Sequence, residues 1–182
     1  QAHPGQELGI NPPRPLYERP AWARRQILVV DEPGLPAALR LAELTGQDVE
    51  TLLIAEVRGE AHQVEAQAEG VDYVWLRGTG NGRGPSGLLA ALRRAPIDDQ
   101  THVWVAGEAR LTRDARAFLR HERGLPKDGY KCVGYWTDRA EQWQARYEEM
   151  GEAFHEQVAS LYASDRDSEE IADEVQRIYE AA

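Results

Sequence analysis

The sequence predicts an α/β domain: a five-stranded doubly wound parallel sheet followed by a C-terminal helical extension. Three observations carry this expectation. Short apolar runs rich in β-branched residues alternate with segments of helical pattern. Glycine and proline punctuate most of the junctions between them. Beyond residue 137 the spacing of apolar residues becomes that of helices alone.

Residues 1–25 are rich in Pro, Gly and Arg and read as an irregular lead-in. Gln26–Val30 (QILVV) is a short apolar run, the pattern of a strand buried on both faces. Asp31-Glu32-Pro33-Gly34 is a turn, and Pro36 suits the first turn of a helix that runs to about Thr45 and stops at Gly46. Val49–Val57 is the second strand, and a short helical stretch is expected over about Glu60–Glu69. Val71–Arg77 is the third strand, with Val71, Tyr73 and Trp75 alternating against Asp72 and Val74. Gly78–Gly87 holds five glycines and must be a loop, after which Ser86 can cap a helix to Arg94. His102–Ala106 is the fourth strand, Glu108 to about Arg123 a long helix stopped by Gly124 and Pro126, and Tyr130–Trp136 the fifth strand. Alternation of this kind requires a parallel sheet covered on both faces by right-handed crossovers.

The extension has its own period. Trp143, Tyr147, Met150, Phe154, Val158 and Leu161 are spaced 4, 3, 4, 4 and 3, one face of a helix over about Asp138–Ala163. Asp167 and Glu170 form a start signal for a second helix, with Ile171, Val175 and Ile178 on one side. These acidic, amphipathic helices either pack on the sheet and on each other or bind a partner.

Composition bounds the function. The 182 residues are 42% hydrophobic and 29% charged, a globular mixture. No apolar run is long enough to span a bilayer, and no signal-peptide pattern opens the chain. The start at Gln1 suggests a piece of a longer protein or a processed product. A formal charge of −10 argues against nucleic acid as the main partner. The single cysteine, Cys132, excludes an internal disulfide and fits a reducing, cytoplasmic setting. His3, His62, His102, His121 and His155 lack metal-ligand spacing, so no metal site is expected.

In an open α/β sheet, ligands bind beyond the carboxyl ends of the strands, where helix N-termini suit a pyrophosphate. That singles out the loops Asp31–Pro36, Arg58–Ala61, Gly78–Gly87 and Gly107–Arg110, and the strand end at Trp136. None is a dinucleotide fingerprint or a Walker loop. Gly107 offers a small residue where a flat ring could approach the backbone, and Glu108 is a carboxylate beside it. Arg77 and Arg83 flank the glycine loop and could pair with phosphate. Arg110, Arg113, Arg116, Arg120 and Arg123 form one stripe on the long helix, a solvated face or a docking face for an acidic domain or ligand.

Taken in order and spacing, Trp104-Val105-Ala106-Gly107-Glu108-Ala109, then Arg113, Arg116, Leu119, Glu122-Arg123-Gly124-Leu125 and Gly134-Tyr135-Trp136, resemble the C-terminal domain of siderophore-interacting proteins. These are NAD(P)H-dependent ferric-siderophore reductases of the ferredoxin-reductase-like superfamily. Asp31-Glu32 and Leu35-Pro36-Ala37 resemble that family's first nucleotide loop, and Pro4–Ile10 the closing strand of its flavin barrel. The resemblance implies that residues 26–137 bind NADPH or NADH, with 1–25 a barrel remnant and 138–182 a helical extension. It implies cofactor contacts from Asp31, Glu32, Pro36, Arg77, Arg83, Gly107, Glu108, Ala109 and Gly134. Tyr135 would stand beside the nicotinamide and flavin rings as the catalytic residue, with Trp136 turned toward the extension. FAD and the ferric siderophore would be held by an N-terminal barrel. The family's flavin-gripping motif is absent, so this chain is not expected to hold FAD itself. The rival expectation is a catalytically silent nucleotide-binding or protein-docking module.

Overall fold

The computed structural model describes His3, residues 16–166 and residues 168–181. The expectations for Pro4–Ile10 and for Asp167 therefore lie outside the described residues. Five strands form one sheet: β1 (Arg25–Asp31), β2 (Glu50–Val57), β3 (Val71–Arg77), β4 (Thr101–Glu108) and β5 (Tyr130–Trp136). Their order is β3-β2-β1-β4-β5 and every pairing is parallel. Direction of travel thus reverses across β1 and β4, the topological switch point of a doubly wound sheet.

Alternation along the strands builds two cores. Ile27, Val29, Ile54, Val103 and Val105 face α2 (Leu88–Arg94) and α3 (Ala109–Ala117), meeting Leu88, Leu92, Leu111, Phe118 and Leu119. Leu28, Val30, Leu53, Ala55 and Trp104 face the other way, onto Leu35, Ala38 and Ala42 of α1 (Leu35–Thr45). This two-sided burial is why the central strands read as continuous apolar runs. Past Ala117 the long helix widens into a π-helical turn at Phe118–Glu122.

Two expected helices differ. The stretch at Glu60–Glu69 is only a 3-10 turn at Glu60–His62 followed by irregular chain. Its one large apolar residue, Val64, is 52% exposed, so no apolar stripe holds a helix on the sheet edge. The long helix expected over Asp138–Ala163 is broken into α4 (Ala140–Glu149) and α5 (Glu152–Tyr162) at Met150-Gly151. The apolar stripe survives the break because the chain folds back on itself. Phe154 and Val158 of α5 pack with Ile171, Val175 and Tyr179 of α6 (Ser168–Ala181), and Trp143 and Tyr147 of α4 close the cluster. The extension therefore has a small core of its own, separate from the two beside the sheet.

Candidate functional site

A cleft of about 850 Å3 opens at the carboxyl ends of β1 and β4, on the side of the sheet covered by α2 and α3. Its floor is built from carboxylates. Asp31 ends β1 and is 2% exposed. Its Oδ2 accepts the Trp136 indole N–H at 2.7 Å and the Glu108 backbone N–H at 2.8 Å. Its Oδ1 accepts the Gly34 N–H at 3.3 Å. Burial raises the Asp31 carboxyl above its ordinary value; these hydrogen bonds pull it back, and the negative charge of Glu56 adds to the rise.

Glu56, near the end of β2, is fully buried. Its Oε1 accepts from Thr79 Oγ1 at 2.6 Å and from the Gly87 N–H at 2.7 Å, pinning both ends of the glycine loop. Its Oε2 finds no hydrogen-bond donor among the described residues. The loop crosses directly above this carboxyl: a Cβ on Gly80 would lie 1.8 Å from Oε2, and the Gly80 φ of +62° also demands glycine. Asn81 ties the loop to the strand ends. Its Nδ2 donates to the Glu56 carbonyl and its Oδ1 accepts the Glu32 N–H, each at 3.0 Å. Asn81 itself has a φ of 51°, a left-handed conformation that asparagine tolerates better than most residues.

The structure sorts the residues expected from sequence into two groups. Asp31, Arg83, Glu108 and Ala109 line the cleft. Glu108 caps α3, its Oε2 accepting the Leu111 N–H at 3.0 Å, while its Oε1 reaches the Asp138 N–H at 3.4 Å. Glu32, Pro36, Arg77, Gly107, Gly134 and Tyr135 are not among the lining residues. Glu32 is bound to Arg58 at 2.9 Å and to His62 at 3.1 Å, and so clasps the loop after β2. Pro36 is exposed in the first turn of α1. Arg77 Nε and Nη2 donate to the Gln63 amide oxygen at 2.6 and 2.9 Å, in the orientation of that amide which satisfies both of its ends.

Gly107 corrects one expectation. It is buried, and its backbone is covered by a side chain: a Cβ there would lie 2.5 Å from Asp31 Oδ2. The missing side chain makes room for the Asp31 carboxylate and leaves no opening for a ring. Gly134 likewise faces protein, with its Cβ position 3.6 Å from the Ala109 Cα.

The division between Tyr135 and Trp136 is the reverse of the one expected. Cys132 faces the α2–α3 core and Val133 the α1 core, so alternation sends Trp136 to the side of the cleft. The β4–β5 register also slips by one residue, pairing Glu108 with Trp136 and passing over Tyr135. Trp136 lines the cleft, whereas Tyr135 is 40% exposed outside it.

The arginine stripe of α3 divides along its length. Arg110 and Arg113 reach the cleft. Arg116 binds Asp173 at 2.7 Å and Arg120 binds Glu170 at 2.5 Å, so the middle of the stripe docks the chain's own acidic helix α6. Arg123 Nη2 donates to the Ile97 carbonyl at 2.6 Å. Residues missed from sequence are Glu56, Asn81 and, from the extension, Trp143, Arg146 and Tyr179, which form a wall of the cleft. A carboxylate inside an otherwise apolar strand was the available signal for Glu56; the extension's part depends on how it folds back, which no local pattern shows.

Comparison with known proteins follows the same outline. The chain is similar over 64% of its length, at 34% identity and a TM-score of 0.58, to a siderophore utilization protein from T. fusca, 46% of which is covered. A siderophore-interacting protein from Acinetobacter baumannii shares 18% identity at a TM-score of 0.59, covering 80% of this chain and 65% of that one. The siderophore-interacting protein SipS from Aeromonas hydrophila shares 24% identity at a TM-score of 0.54, covering 63% and 51%. At these two lower identities the likeness is one of fold. The chain spans roughly half to two thirds of the length of these structures. The comparison with curated proteins returns no match. The family model for siderophore-interacting proteins matches residues 23–139, from just before β1 to just after β5, which is well over half of the sequence. The chain belongs to the siderophore-interacting protein family.

Proposed function

We propose that this chain is the NAD(P)H-binding half of a ferric-siderophore reductase, working with a flavin-binding barrel that it does not itself contain. The observation that carries this reading is the cleft at the switch point of the sheet, with buried acceptors on its floor and guanidinium groups at its rim. That donor set fits a nicotinamide dinucleotide. Arg83, Arg110 and Arg113 suit its phosphates, and the orphaned Glu56 Oε2 suits a ribose hydroxyl or amide donor. When bound, the dinucleotide supplies hydride, which the flavin of the whole reductase accepts and hands on as electrons to the iron of the siderophore.

The chain's own residues orient and shield. Asp31 fixes the Trp136 indole across the floor, so an apolar ring plane borders the site without a mobile side chain. Glu108 holds the first turn of α3 and the start of the extension in one place. Arg77 stands away from the cleft, which leaves Arg83 as the glycine-loop arginine for phosphate. Family membership supports a siderophore-related role, and the absence among the described residues of any helix able to cross a membrane is consistent with a cytoplasmic setting. No described residue forms a flavin cradle, so FAD and the siderophore are assigned to the barrel.

The test is a titration of the chain with NADPH and with NADH, followed by tryptophan fluorescence. Saturable quenching that weakens in Arg83→Ala is the expected result. No saturable change with either nucleotide would overturn the reading.

A further inference from the structure

The family match ends at residue 139, yet the cleft does not. One of its walls comes from the β3–α2 loop and the first turns of α3, bearing Arg83, Arg110 and Arg113. The facing wall comes from α4 and α6, through Trp143, Arg146 and Tyr179. That second wall is ordered by packing. Trp143 stacks on Tyr179 with ring centroids 5.1 Å apart, and the Arg146 guanidinium lies 5.0 Å from the Tyr179 ring centre. Cation–π contact of this kind holds an otherwise flexible side chain at a set height beside the cleft. The wall is in turn fixed to the body, because Asp173 and Glu170 of α6 bind Arg116 and Arg120 of α3.

We propose that the C-terminal helices supply the second half of the nucleotide site, with Arg146, braced on Tyr179, contacting the phosphate groups of the dinucleotide. This rests on the proposed nucleotide-binding function and deepens it. A protein of formal charge −10 has brought guanidinium groups to both sides of one cleft, where self-repulsion is relieved by an anion between them. Arginine suits that anion because its planar fork makes paired hydrogen bonds to phosphate oxygens. The substrate-binding surface therefore extends beyond the family core, and the extension is a specificity element of this chain.

The experiment compares NADPH and NADH titrations of the full chain with those of Arg146→Ala, Arg146→Lys and Tyr179→Leu, with a thermal melt of each. One exposed charge contact corresponds to roughly a fivefold change in affinity. Arg146→Ala is expected to raise Kd by about that factor while melting close to the parent, with partial recovery in Arg146→Lys. Equal losses for both nucleotides would assign Arg146 to the pyrophosphate; a loss confined to NADPH would assign it to the 2′-phosphate. Either supports the proposal. Tyr179→Leu keeps apolar bulk but removes the brace, and should weaken binding in the same direction. If the parent binds nucleotide and Arg146→Ala binds equally well, the proposal fails while the nucleotide reading stands. If the parent binds neither nucleotide, both fail together.

Discussion

Single residues show how burial, rather than contact number, sets the chemistry of this domain. His102 at the start of β4 is 2% exposed, and burial, aided by the positive charge of Arg19, lowers it from 6.5 to about 4. A depressed folded value means that the unfolded chain takes up the proton first. The stability it contributes is therefore present above pH 6.5 and is lost as pH falls toward 4. Across that window the loss should reach roughly 3 kcal/mol, and His102→Gln should flatten the curve. Urea melts from pH 7 to pH 4 measure this, and parallel curves for parent and variant would refute it. The Asp31–Gly107 contact makes a second residue-level prediction. Gly107→Ala should destabilise by roughly 1–3 kcal/mol, because its methyl would push on a carboxylate held by Trp136. Asp31→Ala removes the obstacle, so the double variant should cost less than the sum of the singles by denaturant melts. An additive result would mean that the methyl is accommodated elsewhere. Gly107 was legible in the sequence as a special position, because it follows an apolar strand and precedes a helix. Its reason was not, since the carboxylate that fills the space lies on a strand far away in the chain.

Elements were legible in proportion to the regularity of their apolar pattern. The five strands and the helices flanking β1 and β4 follow from apolar runs that bury both faces of a strand or one stripe of a helix. The segment between β2 and β3 lacks such a stripe, and there the expected helix shrank to a 3-10 turn. In the extension the period was right but continuity was not, because a stripe looks the same whether its helix runs straight or doubles back at Gly151. What docks α6 on α3 is charge of opposite sign on two helices, each of which alone resembles a solvated face. Asp173→Arg should therefore lower stability by about 1 kcal/mol, and Arg116→Glu in the same chain should recover part of it. Thermal melts of the two singles and the double make the test; no recovery in the double would show that Arg116 and Asp173 are independent. The α5–α6 packing should persist in every variant, since its core of Phe154, Val158, Ile171 and Val175 contains no charged side chain.

At the scale of the whole molecule, the candidate site was legible as a location and not as a list. The rule that ligands meet the carboxyl ends of parallel strands picked out the loops that form the cleft. It could not say which side of each loop faces inward, because that depends on the register slip in β5 and on hydrogen bonds between distant strand ends. The sheet also ends at β3 without a covering helix, and this has a consequence for solubility. Among the described residues, β3 pairs only with β2, so its outer row of backbone groups is open to another chain. Such an edge is a template for intermolecular strand addition unless charge discourages it. On β3 that role falls to Asp72 and Arg77, which are exposed on either side of Val74, itself 41% exposed. Asp72→Val should change the melting behaviour little, since an exposed substitution typically shifts stability by under about 0.5 kcal/mol. It should nevertheless raise light scattering with protein concentration, as edges begin to join. Scattering that stays at the parental level would mean that the twist of the edge, rather than its charge, keeps the molecules apart.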